Sequence, residues 1–276
     1  MTSEARAQPA HRPAGNFLWY KLGRLWRLVA TGLSFFIFGA SGLALGAIVF
    51  PLLNLIVRNK TIRANRSRET LAWTFRRFIG IMRSLGLLDY ELKGFEKLSR
   101  DGLLVIANHP SLIDTVFLLG FVPNSTCVVD DSLYRNSFTA GPLQASGYIR
   151  NDAGMNVLTE CIEALDAGTN VLIFPEGTRT PRNGTIRMRR GVANIAVRAK
   201  RNLTPVTIQC SPRTLMKGEK WWQIPERPPH FSLEVGDDIV VQPFSRDDDS
   251  PAMAVRRLTA YLEHYFTTQS PAHAIR

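Results

Sequence analysis

The chain has 276 residues, of which 45% are hydrophobic and 21% charged, and 34 Lys and Arg against 23 Asp and Glu give it a formal net charge of +11. That apolar content excludes a wholly disordered chain and allows one large domain or two small ones, while the cationic excess asks for an anionic partner: nucleic acid, an anionic membrane surface, or a phosphorylated or acidic substrate carrier. Cys127, Cys161 and Cys210 stand apart with no pair at metal-ligand spacing, so disulfide and zinc frameworks are not expected and the three read as buried thiols.

Residues 1–15, rich in Ala, Pro and Arg, lack an apolar period and read as a disordered tail. Residues 16–84 form a membrane-associated helical region, and 85–276 the remaining domain. From Leu28 to Val57 the chain is apolar and essentially uncharged. As one helix it would reach about 45 Å, longer than the roughly 30 Å hydrocarbon core, so it must tilt, overrun the interface or fold back. Gly39-Ala-Ser-Gly42 offers a turn for a re-entrant hairpin, and Gly42 with Gly46 offers a small-residue packing face. Lys21, Arg24 and Arg27 precede the run, and Arg58, Lys60, Arg63, Arg66 and Arg68 follow it. Basic charge at both ends suits a hairpin dipping into one leaflet, while the larger second cluster also permits a tilted span with the rest of the chain in the cytoplasm. Leu71, Phe75, Phe78, Ile79, Met82 and Leu85 then share one helical face. That helix either packs on the following domain with Arg76 and Arg83 in water, or lies among anionic headgroups.

Tyr90–Lys93 opens the domain as a short strand. Leu103–Ala107 is a continuous apolar run, the pattern of a strand covered on both faces in a parallel sheet, and it delivers Asn108-His-Pro-Ser-Leu-Ile-Asp114 into a turn. Ser111 and Asp114 spell a capping box for the next helix, whereas His109 five residues before Asp114 also spells a base and its orienting carboxylate. A helix through Leu119, a strand at Ser125–Val129, a helix from about Gly154 to Leu165 capped by Asp152, and a strand at Asn170–Phe174 follow. That last strand enters a second polar turn, Pro175-Glu-Gly-Thr-Arg179. A helix at about Gly191–Lys200, a strand around Val206, an alternating strand at Phe231–Val235 nearer an edge and a helix at about Met253–Phe266 complete the chain. The alternation predicts an α/β fold, a mixed and largely parallel sheet flanked by helices, preceded by the apolar anchoring segment.

Asn-His-Pro-Ser-Leu-Ile-Asp and, about sixty residues later, Phe-Pro-Glu-Gly-Thr-Arg closely resemble the paired motifs of the glycerolipid acyltransferase family, whose best-known branch acylates 1-acylglycerol 3-phosphate. Gly147-Tyr-Ile-Arg150 and Leu203-Thr-Pro-Val-Thr-Ile208 resemble two further blocks, so that the likeness covers about residues 85–245. It implies transfer of a fatty acyl group from an acyl-CoA or acyl carrier protein to the hydroxyl of a lysophospholipid, at a membrane, with no cofactor. His109 is then the general base and Asp114 its partner, and no enzyme nucleophile is needed. By the same resemblance Glu176, Gly177, Thr178 and Arg179 bind the acceptor, with Arg150 as a second phosphate contact. The planar fork of Arg179 suits phosphate oxygens. Glu176 is not an obvious phosphate binder and more plausibly positions Arg179 or a hydroxyl. On spacing alone an arginine after a strand, such as Arg150, is more often a solvated charge.

Arg187, Arg189 and Arg190 extend the positive field toward a lipid phosphate, coenzyme A or an acidic carrier protein. Trp221-Trp222 either enters the membrane interface or packs over the sheet edge. Other acceptor lipids remain open, as does the oligomeric state. A membrane-tethered protein that binds anionic lipid without chemistry accounts for the charge but leaves His109 and Asp114 idle. No nucleic-acid motif accompanies the basic residues, and hydrolase-elbow, P-loop, zinc-peptidase and dinucleotide signatures are missing from the sequence.

Overall fold

A computed structural model of the chain describes residues 14–151, 156–245 and 250–269, with side chains from residue 21 onward. Asp152 and most of the expected 1–15 tail lie outside the described residues. Seven strands form one sheet in the order β1-β7-β6-β2-β5-β3-β4. They are β1 Asp89–Lys93, β2 Leu104–Ala107, β3 Ser125–Asp130, β4 Ile149–Asn151, β5 Asn170–Ile173, β6 Leu203–Ser211 and β7 His230–Val235. All neighbours are parallel except β6 and β7, which pair antiparallel with Ile208 opposite Leu233. The sheet is therefore mixed and largely parallel, and β7 sits one place in from the β1 edge.

Burial on both faces follows from the side-chain alternation of each strand. Along β2, Val105 and Ala107 join one core with Phe78, Ile79, Phe117 and Phe231, while Leu104 and Ile106 join the other with Cys161, Leu165, Leu258 and Phe266. The helices, in chain order, are α1 Ala14–Ala44, α2 Phe50–Ile56, α3 Lys60–Ser84, α4 Asp114–Phe121, α5 Asp131–Arg135, α6 Ala140–Ser146, α7 Asn156–Asp166, α8 Gly191–Ala199 and α9 Pro251–Gln269. The first core draws on α1, α2, α3, α4 and α6; the second draws on α7, α8 and α9.

The N-terminal apolar run is helical from end to end. A π-helical turn at Leu45–Val49 joins α1 to α2, and the chain reverses only at 57–59, where Asn59 caps α3 by accepting from the Thr61 and Ile62 amides. No turn forms at Gly39–Gly42, because those glycines serve close packing. A Cβ on Gly42 would lie 2.6 Å from the Phe138 carbonyl oxygen, and one on Gly141 would lie 2.7 Å from Gly46 Cα. Elsewhere along α1, Trp26 Nε1 donates to the Leu85 carbonyl (3.2 Å), Arg27 Nη2 to the Glu226 carbonyl (2.7 Å), and Phe38 stacks on Phe75. The opposite stripe, Leu22, Leu25, Val29, Leu33, Phe36 and Leu43, is exposed.

Helix α3 packs on the domain through Leu71, Phe78, Ile79 and Met82. Two of its arginines are engaged: Arg76 Nη1 donates to the last-turn carbonyl of Gly120 in α4, and Arg83 pairs with Asp89. Arg68, one of the flanking cations, turns into the domain, where Nε donates to Asn124 and Nη1 to the Ser146 carbonyl. Trp221 lies against Gly32 of α1 and Trp222 packs edge-on to it, so the tryptophan loop leans on α1, with both rings still about half exposed.

Candidate active site

The connection from β2 runs through α4 to β3, whereas that from β5 runs through α8 to β6, on the opposite side of β2. The chain thus leaves two adjacent parallel strands in opposite directions. Such a switch point opens a crevice at the strands' carboxyl ends. The turns after β2 and β5 are the two motif turns, so topology brings His109 and Glu176 together across about seventy residues of sequence.

His109 Nδ1 lies 3.0 Å from Asp114 Oδ2, and the ring stacks on Phe174 with centroids 4.1 Å apart. Asp114 is fully buried at the first residue of α4. The same Oδ2 accepts the Ser111 amide at 2.6 Å, while Ser111 Oγ makes no hydrogen bond among the described residues. Half of the expected capping box therefore forms, and it is the half that fixes the carboxylate facing His109. Burial pushes the Asp114 carboxyl above its ordinary range, opposed by His109, the Ser111 amide and the Arg179 charge.

Three long-range ties hold the His109 turn. Glu176 Oε1 accepts the His109 amide and the Thr180 hydroxyl, both at 2.9 Å, and the Thr180 amide donates to the His109 carbonyl at 2.8 Å. Asn108 exchanges two hydrogen bonds with the Ile208 main chain, extending the β2–β6 ladder with a side-chain amide. The Leu112 amide donates to the Leu215 carbonyl, and Arg179 Nη1 clamps that carbonyl and the next one, at 2.9 Å each. Glu176 thus meets a hydroxyl, that of Thr180, and it also grips the backbone beneath the histidine. Burial raises its carboxyl as well, with the two donors pulling it back.

A cavity of about 340 Å³ opens beside His109. Its lining is largely apolar, with Cys127, Val129, Leu133, Val157, Ile173 and Ile195, and its polar groups include His109, Thr115, Asp130, Asn151, Thr178 and Arg189. Arg150 is not part of it: the side chain pairs with Asp131 and lies over the Tyr134 ring. Arg179 and Glu176 stand behind the turn. Among the expected site residues, then, His109, Gly177 and Thr178 line the cavity, and Asp114, Glu176 and Arg179 support it. Asn108, Thr180 and Leu215 were not singled out in advance. Asn108 left one local clue, a polar residue ending a buried apolar strand.

The sheet is covered on both faces and its strand ends carry the paired motifs, and the model of the acyltransferase family matches residues 89–209 of the chain. The chain also resembles 1-acyl-sn-glycerol-3-phosphate acyltransferases. It is 28% identical to the Pseudomonas aeruginosa enzyme of that name over 187 residues, 64% of this chain and 70% of the relative. It is 28% identical to the Saccharomyces cerevisiae enzyme over 206 residues, 70% of this chain and 61% of the relative. The crystal structure of the 1-acyl-sn-glycerophosphate acyltransferase from Thermotoga maritima shares the fold with a TM-score of 0.68 at 20% identity, across 92% of this chain and all of the other. The chain is accordingly an acyltransferase, acting between an acyl donor and a lipid acceptor.

Proposed function

We propose that this acyltransferase moves a fatty acyl group from an acyl-CoA or acyl carrier protein thioester to the free hydroxyl of a lysophospholipid such as 1-acylglycerol 3-phosphate. The observation that carries the reading is the His109–Asp114 pair, 3.0 Å apart at the mouth of an apolar cavity. With Nδ1 turned to Asp114, Nε2 is the ring nitrogen left to take the proton of the acceptor hydroxyl. The alkoxide attacks the thioester carbonyl, the tetrahedral intermediate collapses, and the thiolate leaves with the proton from the imidazolium. Asp114 orients the ring and stabilises that imidazolium, with substrate in the place of a serine nucleophile. Cys127, in the cavity wall, is unsuited to act as a covalent relay, because burial pushes its thiol up to about 12 and the thiolate is the nucleophile.

We also place the chain at a membrane surface, with the catalytic domain on the cytoplasmic side. The helix Lys21–Ile56 is long and apolar enough to cross a bilayer. Its contacts with the domain, however, run from Trp26 to Gly46, about 30 Å of helix. A helix fastened to a water-soluble domain over that length favours lying along the interface, with its exposed stripe in the acyl boundary. Detergent-solubilised protein incubated with acyl-CoA, acyl carrier protein and a panel of lysophospholipids should release thiol and form diacyl product. Lipid binding without product from any combination would defeat the enzymatic reading.

A further inference from the structure

We propose that the connection 212–229 between β6 and β7 is a second lipid contact, and that through it a lipid surface steadies the His109 turn; the proposal rests on the membrane seating given above. The connection carries no helix or strand, and its two halves face different neighbours. The inner half is stitched to both motif turns. The Leu215 carbonyl accepts the Leu112 amide at 3.1 Å and Arg179 Nη1 at 2.9 Å, Arg213 Nη1 donates to the Arg182 carbonyl, and Glu219 joins the Met216 amide to the Arg182 guanidinium. Leu215 holds φ at +53°, a left-handed conformation that a leucine seldom takes and that persists only while its neighbours impose it.

The outer half leans on α1. A Cβ on Gly32 would lie 3.2 Å from the Trp221 ring, Arg27 Nη2 donates to the Glu226 carbonyl, and Trp222 stands edge-on to Trp221 with Lys220 Nζ 4.9 Å from its ring centre. Val29, Leu33 and Phe36, within about one helical turn of Gly32, belong to the exposed stripe of α1, so the half-exposed tryptophans continue that stripe sideways. Leu112, whose amide is bonded to Leu215, exposes its side chain as well. Rings with a polar edge favour the headgroup layer, where the apolar body leaves water and the indole N–H keeps a partner. Lys217, Lys220 and Arg227 are exposed beside them without an ion pair among the described residues, against one exposed carboxylate, Glu226, since Glu219 is committed to Arg182. That balance suits an anionic leaflet. One segment thus meets lipid at Trp221 and Trp222 and the histidine turn at Leu215. A surface that fixes the rings removes freedom from the chain that holds Leu215, and so from the backbone that carries His109.

The test places an environment-sensitive fluorophore on Trp222→Cys in the full-length chain. Cys127, Cys161 and Cys210 are buried and burial pushes their thiols up, so the new thiol reacts first. On vesicles of equal parts phosphatidylcholine and phosphatidylglycerol the emission should shift to the blue and be quenched by spin-labelled lipid. Vesicle-bound protein whose label stays in water overturns the proposal and leaves the seating by α1 intact, whereas no vesicle binding by wild type defeats both. A blue shift that follows protein concentration without vesicles marks a second copy on the rings and also overturns it. Function is read with serine at both positions, Trp221→Ser with Trp222→Ser, and with tyrosine at both. The serine variant should bind vesicles at least about tenfold more weakly. At vesicle concentrations that bind all of the enzyme, its kcat should fall about tenfold with acceptor KM nearly unchanged, the effect of a loosened catalytic geometry. The tyrosine variant keeps amphipathic rings and should recover most of both. An unchanged kcat in the fully bound serine variant, or a tyrosine variant no better than serine, overturns the proposal while leaving the acyltransferase reading intact.

Discussion

Replacing Asp114 with Asn separates the two roles that its Oδ2 combines, capping through the Ser111 amide and pairing with His109. Asn retains a carbonyl oxygen able to accept the amide, so the cap, worth about 1 kcal/mol, is largely kept. Removing a carboxylate whose burial already disfavours its charge adds no penalty to the folded state. Catalysis loses the charge opposite the imidazolium. At 3.0 Å and an effective dielectric near 20 that attraction is about 5.5 kcal/mol, and a rate tenfold lower corresponds to about 1.4 kcal/mol. The expected fall in kcat is thus on the order of 10⁴-fold, the scale found when the acid of a serine-protease triad is made an amide. Steady-state thioester release under saturating donor and acceptor, with a thermal melt in the same detergent, measures both sides. His109→Ala should be at least as severe, and the double variant little worse than the poorer single one, because the pair acts as a unit. A kcat within tenfold of wild type in folded Asp114→Asn would refute the dyad and leave Asp114 as a helix cap.

Glu176→Ala should lower kcat with acceptor KM nearly unchanged, since it strips the acceptor from the His109 amide and the Thr180 hydroxyl, and cost about 1–3 kcal/mol of stability in chemical denaturation. Glu176→Gln should retain much of both. Because burial raises the folded carboxyl, the folded state holds the extra proton, and this group's contribution to stability falls as pH rises from the ordinary carboxylate range through the raised value. The melting temperature of Glu176→Gln relative to wild type should therefore climb over that window and level off above it; a flat difference refutes the cause assigned. Leu25→Ser, Val29→Ser and Phe36→Ser together, on the exposed stripe of α1, should weaken binding to anionic vesicles at least about 100-fold with little change in melting temperature. Gly42→Val should destabilise the protein, because its branched side chain meets the Phe138 carbonyl, whereas Gly23→Val, with open space around it, should destabilise far less.

The main strands and the motif turns were legible because their signals are local. A buried parallel strand must be apolar throughout, and the polar residues that follow it announce a turn, as at Ala107–Asn108 and Phe174–Pro175. The ties that position the histidine were not legible. Thr180, Ile208 and Leu215 meet the His109 turn from other strands and loops, and no sequence period marks a contact across a hundred residues. The cavity walls come from several elements whose apolar residues look like any other core. Gly39–Gly42 shows a different limit. Glycine permits a turn and also a close helix contact, and the sequence signal is the same for both. Here the contact with Phe138 and Gly141 wins, and the reversal moves to 57–59.

That contact bears on how the site meets its lipid. Leu133, in α5, lines the cavity, and the segment after α5, Asn136 to Pro142, carries the Phe138 and Gly141 contacts with Gly42 and Gly46. The apolar helix and one wall of the cavity therefore rest on the same short stretch of chain. A helix that only tethered the protein would tolerate a flexible connection, and neither the glycine seam nor the Trp26, Arg27 and Trp221 contacts would be needed. With them, the exposed stripe of α1 and the mouth at His109 keep a fixed relation, so seating the stripe in a lipid surface also sets where the mouth stands above it. The basic residues reinforce that seating only where they remain exposed. Lys21, Arg24 and Lys60 meet that condition, while Arg68 and Arg76, spent on Asn124, Ser146 and Gly120 inside the domain, do not. On the proposed membrane seating, charge counted along the sequence therefore overstates the charge that would face the lipid, and the apolar stripe would supply more of the attachment than the net charge of +11 suggests.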